Sequence, residues 1–247
     1  MTCPDESSRI DTDISEFADI LMPQDGSAQP VVVGGHAVNL WCAYFMASGV
    51  AELAAFVPFT SKDLDLVGTA DLLDRLYKSH KGKLTRSEPR SPVVGRLDVP
   101  RKGGGTLRIE VLHTVRGLDG KDLARTMELR IEGVAAQVLL PHLILKAKIE
   151  NSVNIAQEGR NDVKHVKMMI LCMRAFIIEL IGFLDSGKIS ERTLVNILEE
   201  TLVIVTGTNA NKASNLWGFD FPVIWPMDEL RNARDGKIAR WLEHRFP

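Results

Sequence analysis

Two carboxylates one residue apart in an apolar run, Lys62-Asp63-Leu64-Asp65-Leu66-Val67, are the side chains best placed to do chemistry. A strand sends residues i and i+2 to the same face, so Asp63 and Asp65 point together while Leu64 and Leu66 turn to a core. Like charges held that close repel unless a cation lies between them, and magnesium, a hard ion that takes oxygen ligands, resolves the conflict. A third carboxylate is offered by Leu107-Arg108-Ile109-Glu110-Val111-Leu112, where Glu110 alternates with apolar neighbours. If that strand lies beside the Asp63 strand, Glu110 completes the cluster. Asp98, in Leu97-Asp98-Val99, is its rival. Glu110 is preferred because Ile109 and Val111 make the better buried strand, whereas Pro100 crowds the end of the Asp98 strand.

An anion cradle precedes this pair. Val31-Val32-Val33 is a β-branched run, followed by Gly34-Gly35 and a segment over 36–47 compatible with a helix. A Gly-Gly turn lets backbone pass close to a ligand, and a helix N-terminus offers free N–H groups and a positive dipole to phosphate. His36, just inside that helix, is placed either to touch a phosphate or, as is commoner, to sit on the helix surface. Thr60-Ser61-Lys62 leads into the acidic strand. Ser61 can bind phosphate oxygens, and Lys62 either does the same or serves as a surface counter-charge to Asp63.

Gly34 and Gly35 at a helix start, followed by Asp63 and Asp65 in an alternating strand, resemble the signature of the nucleotidyltransferase superfamily that includes DNA polymerase beta. Within it, Gly-Gly-His-Ala-Val and Thr-Ser-Lys-Asp-Leu-Asp-Leu look most like the AbiEii-type toxin group. The superfamily has Asp where this chain has Glu110. The resemblance implies two magnesium ions held by Asp63, Asp65 and Glu110, a nucleoside triphosphate as substrate, and transfer of a nucleoside monophosphate to tRNA or other RNA, a protein or a small molecule. It also implies a toxin-like role in a toxin–antitoxin or phage-defence system, with a possible antitoxin partner. A lysine on a helix of the second half contacts nucleotide in the related toxins; Lys146 matches best and Lys148 is the fallback. Arg160-Asn161-Asp162-Val163 resembles an Arg-x-Lys-Asp element of which only Asp162 carries over. The alternatives are a catalytically inactive nucleotide- or partner-binding protein of the same fold, or an antibiotic adenylyltransferase.

Other classes find no support. The chain has no Gly-x-x-x-x-Gly-Lys-Ser/Thr, Gly-x-Gly-x-x-Gly, Gly-x-Ser-x-Gly or His-Glu-x-x-His. A hydrophobic fraction of 45% and a charged fraction of 25% are those of an ordinary globular protein, and the net charge of −2 selects no partner. Charge is uneven, however. Residues 75–108 carry ten Lys or Arg against Glu88 and Asp98, which suits a polyphosphate or nucleic acid as well as a solvated surface. Cys3, Cys42 and Cys172 lack metal-ligand spacing and favour a reducing, cytoplasmic setting. The acidic N-terminus has no signal-peptide character, and the greasiest stretch, 168–184, contains Arg174 and Glu179 and is short for a membrane span.

The elements that must position these residues read as an α+β chain. A small mixed-sheet nucleotidyltransferase domain with flanking helices is expected over 1–133, and a mostly helical domain over 134–247. Ile10, Ile14, Phe17 and Leu21 predict a first amphipathic helix ended by Pro23 and Asp25-Gly26. An apolar helix is expected between residues 49 and 59, and a short helix over 71–77. Strands are expected over 93–99 and 106–114, joined by a tip with Lys102 and Gly103-Gly104-Gly105, and an edge strand over 127–133. Helices follow from Pro141 to about 153, over 160–184 and over 191–205, with a polar loop over 206–215. Trp217, Phe219, Phe221 and Trp225 form an aromatic cluster, and 228–244 supplies one last charged helix.

Overall fold

Apolar–polar alternation builds a sheet in the first half of the chain, and helical periodicity builds the second. The structure is a computed structural model that describes residues 11–22, 29–101, 104–131, 133–233 and 236–246. It divides into two units, Met1–Ser48 with Ala54–Leu140, and Gly49–Leu53 with Pro141–Pro247. Residues 1–10, Pro23, Asp25, Gly26, Lys102 and Gly103 lie outside the described residues, and with them parts of the expected first helix and hairpin tip.

The first unit opens with a two-residue strand, β1 (Thr12–Asp13), then a 3-10 turn over Ile14–Phe17 and a single helical turn, α1 (Ala18–Leu21). This departs from the one amphipathic helix expected there: Asp13 caps the 3-10 turn by accepting from Ser15, with Glu16 returning a bond to the cap. β2 (Val31–Val33) runs into α2 (Gly34–Ala47), and the apolar stretch after it forms a 3-10 turn over Ala51–Phe56, whose first three residues are counted with the second unit. β3 (Thr60–Ser61) pairs with β1, and after a bend comes β4 (Leu64–Val67). Then follow α3 (Ala70–His80), β5 (Lys83–Arg86), β6 (Val93–Pro100), β7 (Thr106–Leu112), α4 (Gly120–Leu123), β8 (Thr126–Ile131) and β9 (Val134–Leu139).

Seven of these strands make one mixed sheet in the order β5-β6-β7-β4-β2-β9-β8. β4 is antiparallel to β2 and parallel to β7, and β2 is parallel to β9. β8 is the expected edge strand, but β9 was not expected. It sits inside the sheet, in the first unit, which runs to Leu140. Leu64, Leu66, Leu97, Ile109 and Val111 are all fully buried, so one face of the β6-β7-β4 ribbon is core and the opposite face is left for polar side chains. Trp41 on α2 fastens that helix by donating its indole N–H to the Leu139 carbonyl at 2.8 Å.

The second unit is helical: α5 (Pro141–Asn154), α6 (Asp162–Asp185), α7 (Glu191–Thr206), α8 (Thr208–Trp217), α9 (Met227–Asn232) and α10 (Gly236–Arg245). The loop expected over 206–215 is instead α8. Its sequence is polar because only Ala210 and Ala213 are buried, which is enough of an apolar stripe to dock a short helix. The last charged segment is two helices, not one. The aromatic cluster also divides: Phe219 lies tilted against Phe221, with centroids 5.9 Å apart, while Trp225 packs against Trp241 and Phe246 at 5.7 and 5.5 Å. Trp217 instead donates its indole N–H to the Ser152 carbonyl. Among the described residues no helix is long and apolar enough to cross a membrane.

Candidate metal centre

Strand register brings the three acidic residues together. Asp65 and Glu110 are direct partners across the parallel pair β4–β7, on the face opposite Leu64, Leu66, Ile109 and Val111. Asp63 lies in the bend just before β4 rather than inside the strand, yet its side chain joins the other two. One carboxylate oxygen from each of Asp63, Asp65 and Glu110 lies within 4.8 Å of the others, and all three residues are half-buried. Three hard oxygen donors converging from a bend and two parallel strands fit a magnesium-type ion. Zinc or copper would call for nitrogen or sulfur ligands, and none is in this group.

The glycine turn meets the same carboxylates. Val33 pairs with Asp65 across β2–β4, so Gly34, the next residue, lies against the Asp65 side chain. Gly34 has φ +68, and a Cβ there would lie 2.7 Å from Asp65 Cγ and 2.9 Å from Asp65 Cβ. Both the backbone conformation and the lack of space require glycine. The residue preceding α2 is Val33, which has no side-chain oxygen to cap the first turn, so the N–H groups from Gly34 and Gly35 onward have no side-chain cap. The carboxylates and this uncapped helix start therefore share one place on the sheet.

Other expected residues fall differently. Ser61 is in β3, where its carbonyl accepts from the Thr12 hydroxyl at 2.7 Å, and Lys62 occupies the bend that leads to Asp63. Asp98, the rival third carboxylate, is not in the cluster. It is 9% exposed and accepts from Arg108 Nε at 2.9 Å, with Arg96 Nε 3.3 Å from its other oxygen. Lys146 and Lys148 are both on α5 in the helical unit. Lys148 is buried and donates to Asp162 at 2.9 Å, while Arg160 Nε donates to the other Asp162 oxygen at 2.7 Å. Burial raises the Asp162 pKa, but Lys148 and Arg160 outweigh it and hold the carboxyl below its ordinary value. Asp162 and Lys148 thus form a buried clamp between the start of α6 and α5.

His36 is not on the helix surface, as its position near a helix start suggested, but fully buried against Phe17 with ring centroids 5.2 Å apart. Neither ring nitrogen has a hydrogen-bond partner among the described residues. Burial pushes its pKa down to about 4, against a smaller upward pull from Asp13. The β1–β3 pairing, with the Ile14–Phe17 turn that follows β1, brings Phe17 onto this helix start.

No protein-family model and no curated protein matches the sequence. Among solved structures the chain is similar to an antigenic nucleotidyltransferase-like protein from Paracoccidioides brasiliensis, at 18% identity and a TM-score of 0.37, over 64% of this chain and 83% of that one.

Proposed function

We propose that the chain is a metal-dependent nucleotidyltransferase that moves a nucleoside monophosphate group from a nucleoside triphosphate to an acceptor hydroxyl. The observation that carries this reading is the convergence of Asp63, Asp65 and Glu110 within 4.8 Å, with Asp65 pressed against Gly34 at the uncapped start of α2. A carboxylate set suited to divalent ions thus adjoins backbone N–H groups suited to phosphate, and phosphoryl transfer needs both.

Asp63, Asp65 and Glu110 would hold magnesium. When bound, the ions neutralise the triphosphate and lower the pKa of the acceptor hydroxyl. Gly34 and Gly35 present main-chain N–H groups to the phosphates, which only a residue without Cβ permits at position 34. The acceptor oxygen forms a bond to the α-phosphorus, the α–β anhydride bond breaks, and pyrophosphate leaves with the electron pair. The hydroxyl proton passes to a Glu110 carboxylate oxygen. Lys62, one residue before the first ligand, offsets charge on the leaving group. The acceptor is an RNA, a protein or a small molecule, and a toxin-like activity restrained by an antitoxin is the biological setting this reading favours.

The test is to incubate the protein with α-labelled nucleoside triphosphates and magnesium, adding in turn bulk tRNA, a protein extract and an aminoglycoside panel. Label transfer with stoichiometric pyrophosphate, abolished in Asp63→Ala/Asp65→Ala, supports the reading and names the acceptor class. Transfer that survives in the double variant refutes the metal assignment.

A further inference from the structure

Beyond the triad, the same sheet face carries more cations than its one remaining acid can hold. Residues opposite each other on paired strands share a face, as do alternate residues along one strand. The β6–β7 register sets Arg96 opposite Glu110 and Asp98 opposite Arg108, and the β5–β6 register sets Lys83 opposite Asp98. Lys83, Arg96, Asp98 and Arg108 therefore rise from the side of the sheet on which Asp65 partners Glu110.

Asp98 leaves most of these donors unused. Arg108 Nε donates to it at 2.9 Å, which keeps both terminal nitrogens of Arg108 for another acceptor. Arg96 lies 3.3 Å from the other Asp98 oxygen as an ion pair, but it makes no hydrogen bond among the described residues, and its Nε is shielded from water with no partner. The Arg96 side chain is only 27% exposed. A guanidinium cannot shed its charge, and its planar fork of N–H donors matches the oxygens of a phosphate. Lys83, exposed on the edge strand β5, continues the row outward. Neighbouring strands stand about 4.8 Å apart, so β7, β6 and β5 spread the cations over about 10 Å, which suits successive phosphates of a chain better than a single one.

Sheet order indicates which phosphates these are. The strands run β2-β4-β7-β6, with Gly34 against Asp65 on the β2 side, Asp65 and Glu110 paired across β4 and β7 in the middle, and Arg96 beyond them. Attacking and leaving oxygens stand in line on opposite sides of the reacting phosphorus. With the triphosphate tail at the Gly34 turn, the acceptor approaches over β7 and β6. We propose that Arg108, Arg96 and Lys83 form a phosphate-binding row for the acceptor, and that the acceptor is a nucleic acid strand laid across β7, β6 and β5 with its reactive hydroxyl at the triad. This rests on the reading of the triad as a nucleotidyl-transfer centre.

A fluorescein-labelled single-stranded oligoribonucleotide, bound to the full chain in EDTA and followed by anisotropy over a KCl series, tests the row apart from any metal. Arg96→Met keeps the stem of the side chain and leaves Asp98 with Arg108. It is expected to weaken binding by about tenfold, the worth of a charged hydrogen bond, and to lower the slope of log K against log salt by about 0.7, the share of one phosphate on a single strand. Calorimetric titration of the same variant with magnesium and each nucleoside triphosphate is expected to match wild type. Oligonucleotide binding unchanged in Arg96→Met, or a loss confined to the triphosphate, overturns the proposal and leaves the triad reading intact, as does a wild-type chain that holds no oligonucleotide. If Arg96→Met does not fold, Lys83→Met on the exposed edge takes its place: a slope lower by about 0.7 is expected, and an unchanged slope overturns the row. A wild-type chain that binds no triphosphate with magnesium, yet holds the oligonucleotide through Arg96, removes the transfer reading and leaves the phosphate row standing.

Discussion

Gly34→Ala separates the two demands that the site places on its glycine. The first is conformational: φ +68 is left-handed, and an L-residue there costs about 1–2 kcal/mol. The second is space, since the new Cβ would stand 2.7 Å from Asp65 Cγ, so the carboxylate must turn away from Asp63 and Glu110. Gly218 supplies a matched control: it has φ +67, and a Cβ there meets nothing within 4 Å. Gly218→Ala should therefore show the backbone cost alone, a fall in Tm of about 2–4 °C for each kcal/mol in a chain of this size. Gly34→Ala should lose at least as much and in addition weaken Mn²⁺ binding by about 10–100-fold, with nucleotidyl transfer falling in parallel. Thermal melts and Mn²⁺ titrations of the two variants side by side give the answer. The reasoning fails if Gly34→Ala binds Mn²⁺ as tightly as wild type, since Asp65 would then not need the space that glycine leaves.

Three further outcomes follow from the same structure. His36 is neutral in the fold with its pKa pushed down to about 4 from an ordinary 6.5, so its contribution to stability is complete above pH 6.5 and lost as pH falls toward 4. The loss amounts to about 3 kcal/mol by linkage, and His36→Leu should flatten the denaturant-midpoint profile over that window. Asp162 behaves as the acid counterpart: its lowered pKa stabilises the protein above its ordinary value of 3.8 and ceases to do so as pH drops through the folded value. Asp162→Asn, which leaves Lys148 buried without its anion, should cost about 3–5 kcal/mol in urea unfolding at neutral pH; a cost below 1 kcal/mol would contradict the buried clamp. Trp41→Phe removes the donor to the Leu139 carbonyl and should destabilise by about 1–3 kcal/mol, read from the same unfolding curves.

The chemistry-bearing face was open to reading from local spacing. Alternation in Leu64-Asp65-Leu66-Val67 and Leu107-Arg108-Ile109-Glu110-Val111 decides which side chains share a side, because a strand has a period of two whatever it pairs with. Gly34, which has the positive φ a turn into a helix demands, was legible for the same local reason. Tertiary structure alone decided the rest. Whether Glu110 or Asp98 joins the aspartates depends on β4 choosing β7 as its parallel neighbour and on the β6–β7 register, contacts made across many residues of intervening chain. Val134–Leu139 alternates too weakly to announce a strand and becomes one because β2 and β8 offer it two partners. The polar helix Thr208–Trp217, the burial of His36 beneath Phe17, and the pairing of Lys148 with Asp162 are likewise set by what lies opposite each residue in space. Sequence periodicity states only which way a side chain points, whereas its partner is chosen by the free energy of burying the whole core at once.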